Sequence, residues 1–324
     1  MRAVHVVPLV LVAALAACGS PSPTPDVAHP VVTGNAAELS RIVTGPQAHF
    51  WPRPSPDGSM LLLHVRDDSK LGDDRFSIVK VDINKPGRTL VSERAAGEAS
   101  WYPDNSNFVY VTTRTGTSRL VRSSIAGNAS GMTFLTPSTA GEYETTPDVS
   151  ADGKKIAFVT TLDRPKPGQK DFVGTHTLAT INTDGSSFTI FAEGEYPRWS
   201  PDGKRLAYER LVGQHRQIFT IDLSFGGQVT QLTSGEEFNN EFPAWSSDGK
   251  YLAYVSTRDG ARNIWAMHSD GTQQTQLTRG KNDDDHPSWS SDGYLYFSSK
   301  AAGNYEIWRI RPLLGGPVAS GSGF

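Results

Sequence analysis

A ten-residue phrase, Trp-Ser-Pro/Ser-Asp-Gly-Lys-x-Leu-Ala-Tyr, recurs along this chain at a nearly constant interval. Its clearest copies begin at Trp199, Trp245 and Trp289; weaker ones begin at Val149, Trp101 and Pro54. The motif aspartates are Asp57, Asp104, Asp152, Asp202, Asp248 and Asp292, so successive gaps are 47, 48, 50, 46 and 44 residues. A fixed period in this range marks a repeat architecture, one supersecondary unit per period.

One repeat read in full shows what the unit is. Phe242-Pro-Ala-Trp-Ser246 is a short strand, and Ser247-Asp-Gly-Lys250 is a turn. There the Asp accepts from backbone N–H groups and Gly takes the positive φ that ends the turn. Tyr251 to Ser256 alternates as a second strand, Asn263 to Met267 is a third, and Thr275 to Thr278 a fourth after the Asp270-Gly271 turn. Four strands per unit fit the 287 residues left when the first 37 are set aside, about 48 for each of six units. The sixth unit stops after its third strand, yet Ser40 to Thr44 stands as an orphan fourth strand ahead of the first unit. The expected fold is therefore all-β, a six-bladed propeller over residues 38–312. Its N-terminal strand completes the last blade and removes both open edges.

The pattern resembles the TolB-type six-bladed propeller, a WD-like repeat marked by Pro-x-Trp-Ser-Pro-Asp-Gly-Lys followed by Ile/Leu-Ala-Phe/Tyr. The resemblance covers the whole mature domain. It implies a platform for protein binding in the cell envelope, without the N-terminal domain that TolB-like proteins carry. It also keeps one enzyme reading open, because related propeller sugar lyases use clustered histidines and a metal.

The N-terminus says where the domain sits. Arg2 precedes an apolar run from Val6 to Ala17, too short to span a bilayer, which ends in Leu15-Ala-Ala-Cys18. This resembles the lipobox of bacterial lipoproteins, with residues 1–17 as signal peptide and Cys18 lipidated. Cys18 is the single cysteine of the 324 residues, so no internal disulfide forms. Residues 18–37, rich in Ser, Pro and Thr, read as a lipid-anchored tether, and 313–324 as a flexible tail. Gly19 after the cysteine resembles outer-membrane sorting. The expectation is an envelope protein facing the periplasm, anchored to the membrane by lipid, and monomeric. A net charge of −3 with no long basic cluster argues against nucleic acid.

Function is expected where the repeat leaves sequence free, on the loops of one rim. The motif tryptophans and Asp-Gly turns read as scaffold. The loops between blades end in acids: Glu98, Glu144, Glu195, Glu241 and Asp285. Glu195, Glu241 and Asp285 each lie seven residues before their motif aspartate, with Glu98 and Glu144 one place to either side. Acids converging on the ring axis would form a negative funnel suited to a basic peptide segment of an envelope protein or to a divalent cation. The same acids also suit a plainer part as strand caps. His49 and His286, at the seam of the sixth blade, are the metal candidates, with His176 and His215 on the same rim; none has metal-ligand spacing. The alternative function is a metal-assisted carbohydrate-active lyase or hydrolase on this acid and histidine face. No Gly-x-Ser-x-Gly occurs, and Gly127-Asn-Ala-Ser-Gly131 has Ala at its centre. Asp67-Asp68 and Asp73-Asp74 lack the grammar of a calcium loop. The Thr161 to Thr177 loop is the longest within a blade and a candidate contact element.

Overall fold

The computed structural model describes residues 29–315 other than 86, 94, 127–130, 137–142, 162–175, 225 and 302. Cys18 with its signal peptide, the first part of the tether, nearly all of the Thr161 to Thr177 loop and most of the tail lie outside the described residues. Six four-stranded antiparallel sheets follow one another around a ring. Their innermost strands are Ala48–Pro54, Ala95–Trp101, Glu144–Val149, Glu195–Trp199, Asn240–Trp245 and Asp284–Trp289. Blade five continues through Tyr251–Ser256, Asn263–His268 and Thr275–Gln276, as its sequence predicts.

Closure is as expected. Ala36–Val43 pairs with Glu306–Pro312 and supplies the fourth strand of the last blade. The domain begins earlier than the tether boundary anticipated. Val31 and Val32 pair with Arg279 and Thr278 of blade five, and the Thr33 amide donates to the Leu277 carbonyl at 2.9 Å. The β-branched run Val31-Val32-Thr33 is the local reason.

The core is divided rather than central. Six apolar clusters each join two neighbouring blades, for example Leu62 and Ile78 of blade one with Trp101, Phe108 and Tyr110 of blade two. Second strands are therefore buried on both faces, and Leu252 to Ser256 is buried without a break. Alternation fades where each sheet has a neighbour on either side.

The antiparallel order gives the ring two unlike rims. The turn face carries the Asp-Gly turns, and the mouth face carries the loops between blades and between second and third strands. In four of the motif turns the side chains lock the geometry. Asp57, Asp152, Asp202 and Asp248 accept from the hydroxyls of Ser55, Ser150, Ser200 and Ser246 at 2.5–2.7 Å, and from the amide two residues on.

Candidate functional site

Counting back from the motif aspartates resolves the axis into layers. Six residues before them stand Trp51, Glu98, Thr146, Tyr196, Phe242 and His286. Every inner strand shifts register across this position. In five blades the residue has positive φ: 47° at Trp51, 51° at Thr146, 52° at Tyr196, 55° at Phe242 and 53° at His286. Bulky residues rarely adopt this conformation, which costs about 1–3 kcal/mol each. The bulge re-aims four rings at one another. Trp51 lies 4.8 Å from His286, His286 4.6 Å from Phe242 and Phe242 4.5 Å from Tyr196, centroid to centroid. They make an aromatic collar around most of the axis.

Glu98 takes the collar position in blade two, one residue further along its strand than the positions of Glu195, Glu241 and Asp285. It is 1% exposed, and one carboxylate oxygen accepts from Arg198 of blade four and lies 3.9 Å from Arg53 of blade one. Arg53 and Arg198 belong to the next layer, four residues before the motif aspartates, as does Asp148. Arg53 Nη2 donates to Asp148 Oδ1 at 2.6 Å, and Asp148 Oδ2 accepts from the Trp199 amide at 2.8 Å. Two cations and two anions thus bridge blades one to three and two to four across the axis. Between collar and charges remains a void of about 10 Å³, near the volume of one water.

Glu144 departs from those positions in the other direction. Shifted one residue along its strand, its side chain falls on the opposite side. It is buried and accepts from the Thr136 hydroxyl at 2.9 Å.

Glu195, Glu241 and Asp285 do gather at the mouth, but as a charge-compensated chain. Arg216 Nη2 donates to Glu195 at 2.9 Å, and its Nε meets Glu209 at 2.8 Å. Arg262 binds both oxygens of Asp285 at 2.9 Å and reaches Glu241 at 2.7 Å. His176 Nδ1 lies 2.7 Å from Glu195, and that hydrogen bond holds the imidazole above its usual pKa. Burial, reinforced by Glu241, pushes the Glu209 carboxyl up to about 8. The bare negative funnel is replaced by acids bracketed by Arg216 and Arg262. Both arginines stand two residues before a buried isoleucine of a third strand, Ile218 and Ile264, a regularity the sequence offered.

The two metal candidates, His49 and His286, are engaged with protein groups. His49 is buried with Nε2 2.7 Å from Arg88 Nη1, and burial followed by Arg88 lowers its pKa to about 4. His286 sits in the collar with Nδ1 3.1 Å from the Ser298 hydroxyl, and burial lowers it. Among the described residues, no three His, Cys, Asp or Glu side chains are placed to hold a metal ion. The residues present do not fit the metal that the sugar-lyase resemblance implies.

A site to which every blade contributes opens on the other rim. A funnel of about 330 Å³ is walled by Trp101, Trp199, Trp245 and Trp289 with Pro54 and Pro201, and floored by Arg53, Arg198 and Asp148. Trp101 and Trp245 staple neighbouring blades, their indole N–H groups donating to the carbonyls of Arg53 at 2.8 Å and Arg198 at 3.1 Å. A second hollow of about 260 Å³ lies at the mouth beside Glu98, His176 and Glu195.

Residues 166–319 match the family model of the TolB β-propeller domain (PD40). This chain carries a TolB-like β-propeller domain. Among solved structures it is similar to TolB from Acinetobacter baumannii, with a TM-score of 0.61 and 19% identity over 79% of this chain and 64% of that one. A protein assigned as TolB from Agrobacterium tumefaciens gives 0.60 and 18% over 86% of this chain and 98% of that one. An oligogalacturonate lyase in complex with manganese gives 0.57 and 15% over 87% and 96%. At these identities the likeness is one of fold. An uncharacterized protein of Agrobacterium fabrum is 40% identical over 55 residues, 17% of this chain and 19% of that protein's length.

Proposed function

We propose that this chain is a membrane-tethered cell-envelope module that binds a protein partner through the funnel on its turn face. The observation that carries the reading is that funnel: one cavity to which all six blades contribute, with Trp and Pro walls and a charged floor. Aromatic walls with a few polar groups at the base suit a short extended segment bearing an apolar side chain. The TolB-like domain and the lipobox around Cys18 support an envelope setting, facing the periplasm from the outer membrane. The acid and arginine chain at the mouth supports a weaker, salt-sensitive contact for a basic segment.

Two experiments test this. Cys18→Ala should move the protein from the membrane fraction to soluble envelope or precursor, since acyl chains contribute about 0.8 kcal/mol per buried CH₂; membrane partitioning like the parent's would end the anchoring reading. Ser247→Trp with Ser291→Trp fills the funnel rim without touching the charged floor. Partner recovery from envelope extracts should fall while the melting temperature holds. If recovery instead falls only for Glu195→Gln, Glu241→Gln and Asp285→Asn together, the partner sits at the mouth.

A further inference from the structure

The path of the chain into the ring sets the rim on which the described residues begin. Thr278–Arg279 ends blade five and runs up to the loop that precedes Asp284, so it points toward the mouth face. Val31 and Val32 pair with it antiparallel, Val31 opposite Arg279 and Val32 opposite Thr278. The chain therefore reaches Val31 from the mouth side, and crosses to the turn face before Ala36 opens the closing strand opposite Pro312. Ten residues separate Cys18 from His29. Their extended reach is at most about 35 Å, similar to the width of a small domain.

The same rim carries the two most exposed large apolar side chains of the described residues, Leu71 at 87% and Leu211 at 60%. Val212 beside Leu211 is 41% exposed. Leu211 and Val212 crown a hairpin of two eight-residue strands, Arg205–Val212 and His215–Asp222, closed by Gly213 and Gln214. The equivalent strands of blade five have six residues each. Blade five spends the same 18 residues on two six-residue strands and the six-residue loop 257–262, so in blade four the paired ribbon itself carries Leu211 and Val212 to the rim. Leu71 caps the corresponding loop of blade one, on the opposite side of a six-membered ring.

We propose that the mouth face docks on the lipid bilayer surface, with the Leu211-Val212 hairpin tip and Leu71 as two prongs set on opposite sides of the axis. The inference rests on anchoring at Cys18. Single exposed apolar residues are ordinary on any protein. Here they stand on the rim from which the tether leaves, and the tether holds that rim within reach of lipid. The funnel then opens away from the membrane, toward partners.

Native lysines report the geometry. Lys70, Lys281 and Lys300 are exposed on mouth-face loops, while Lys154, Lys204 and Lys250 are exposed in the Asp-Gly turns. The lipidated full chain is floated on vesicles of phosphatidylethanolamine and phosphatidylglycerol and acetylated with an impermeant reagent. Labelling of the mouth set should slow severalfold relative to detergent-dispersed protein, with the turn set unchanged. Equal rates in both sets, or slowing of the turn set, overturn the docking. Leu71→Ser with Leu211→Ser and Val212→Ser should float equally well but lose the protection; retained protection overturns the role of the prongs. If the native protein fails to float, the anchoring reading falls. Docking is then read on the chain coupled through its Cys18 thiol to a maleimide lipid, where mouth-specific slowing supports it and uniform labelling overturns it.

Discussion

The two rims of this ring are made from the same strands, yet they follow different rules. On the turn face four blades repeat one solution: a Ser hydroxyl and the amide two residues on around an Asp, followed by a left-handed Gly. On the mouth face the side-chain pairings change from blade to blade. Glu195 is held by Arg216, Glu241 and Asp285 share Arg262, His49 faces Arg88 and Glu144 faces Thr136. Repetition yields a symmetric funnel whose floor alone is irregular, whereas divergence yields a mouth of private ion pairs. The repetitive rim holds a larger hollow than the mouth, about 330 Å³ against about 260 Å³, because four tryptophans with Pro54 and Pro201, from several blades, wall one volume.

The comparison presumes that both rims belong to one closed ring, and the largest expected effect tests that. Truncation through residue 45 removes Ala36–Val43 and leaves Glu306–Pro312 as an open edge. Such an edge invites pairing with other chains, so aggregation and loss of a cooperative melt are expected. Truncation through residue 28 should leave the melt unchanged. Stopping at residue 33 deletes the Val31-Val32 bridge and the Thr33 bonds, and should cost about 1–3 kcal/mol. Equal melts for the truncations at 28 and 45 would show that closure does not hold the rims together.

A second test asks whether mouth and funnel share a floor. Arg198→Gln strips the cation from Glu98 and leaves Arg53 to serve two buried carboxylates. Losing one partner of a buried pair costs about 3–5 kcal/mol. Adding Glu98→Gln removes the orphaned charge and should recover much of that loss in denaturant melts. No recovery would mean that Arg198 acts by packing alone, and that the axial charges are not coupled.

How much of this was legible beforehand follows from the range of each contact. The Asp-Gly phrase and the orphan strand around Ser40 are local patterns, and they carried blade number, strand order and closure. The tether boundary at 37 erred because Ser/Pro composition outweighed Val31-Val32-Thr33. Glu195, Glu241 and Asp285 were legible as a ring because they share an offset. Glu98 and Glu144 were not, because a one-residue shift in a strand reverses or re-aims the side chain. Glu98 and Arg198 are 100 residues apart. Their meeting depends on ring diameter, which no local pattern encodes, although Arg53, Asp148 and Arg198 at one offset were a visible hint. The positive φ of Tyr196 and Phe242 carried no sequence signal, since neither residue favours it.

A smaller effect sharpens the reading of the turn face. Trp101 and Trp199 hold the same offset, but only the Trp101 indole has an acceptor among the described residues, the Arg53 carbonyl. Trp101→Phe should therefore cost about 1 kcal/mol more than Trp199→Phe. Equal losses in thermal melts would reduce both to packing and remove the staple from the description of that rim.

The smallest expected effect is a cancellation, and it separates the rims by pH. On the turn face, Asp57 and Asp152 are held below the usual carboxylate range, chiefly by the hydroxyls of Ser55 and Ser150. A depressed acid adds stability above its unfolded pKa and loses it as pH falls through the folded value, so these turns act below about pH 4. At the mouth end, Asp284 is buried against the Ser299 hydroxyl at 2.6 Å, and burial raises its pKa to about 7. Its favourable term is present below the ordinary value of 3.8 and is lost as pH rises through about 7. His49 runs the other way. With its pKa lowered from 6.5 to about 4, its term is present above 6.5 and is lost as pH falls toward 4. Between those limits the two slopes oppose, and their joint contribution should be nearly flat. Asp284→Asn should expose a melting temperature that rises from pH 4.5 to 6.5 relative to the parent, and His49→Gln one that falls over the same interval. Parallel profiles for the parent and both variants would remove these two groups from the pH response and leave the mouth no different from the turns.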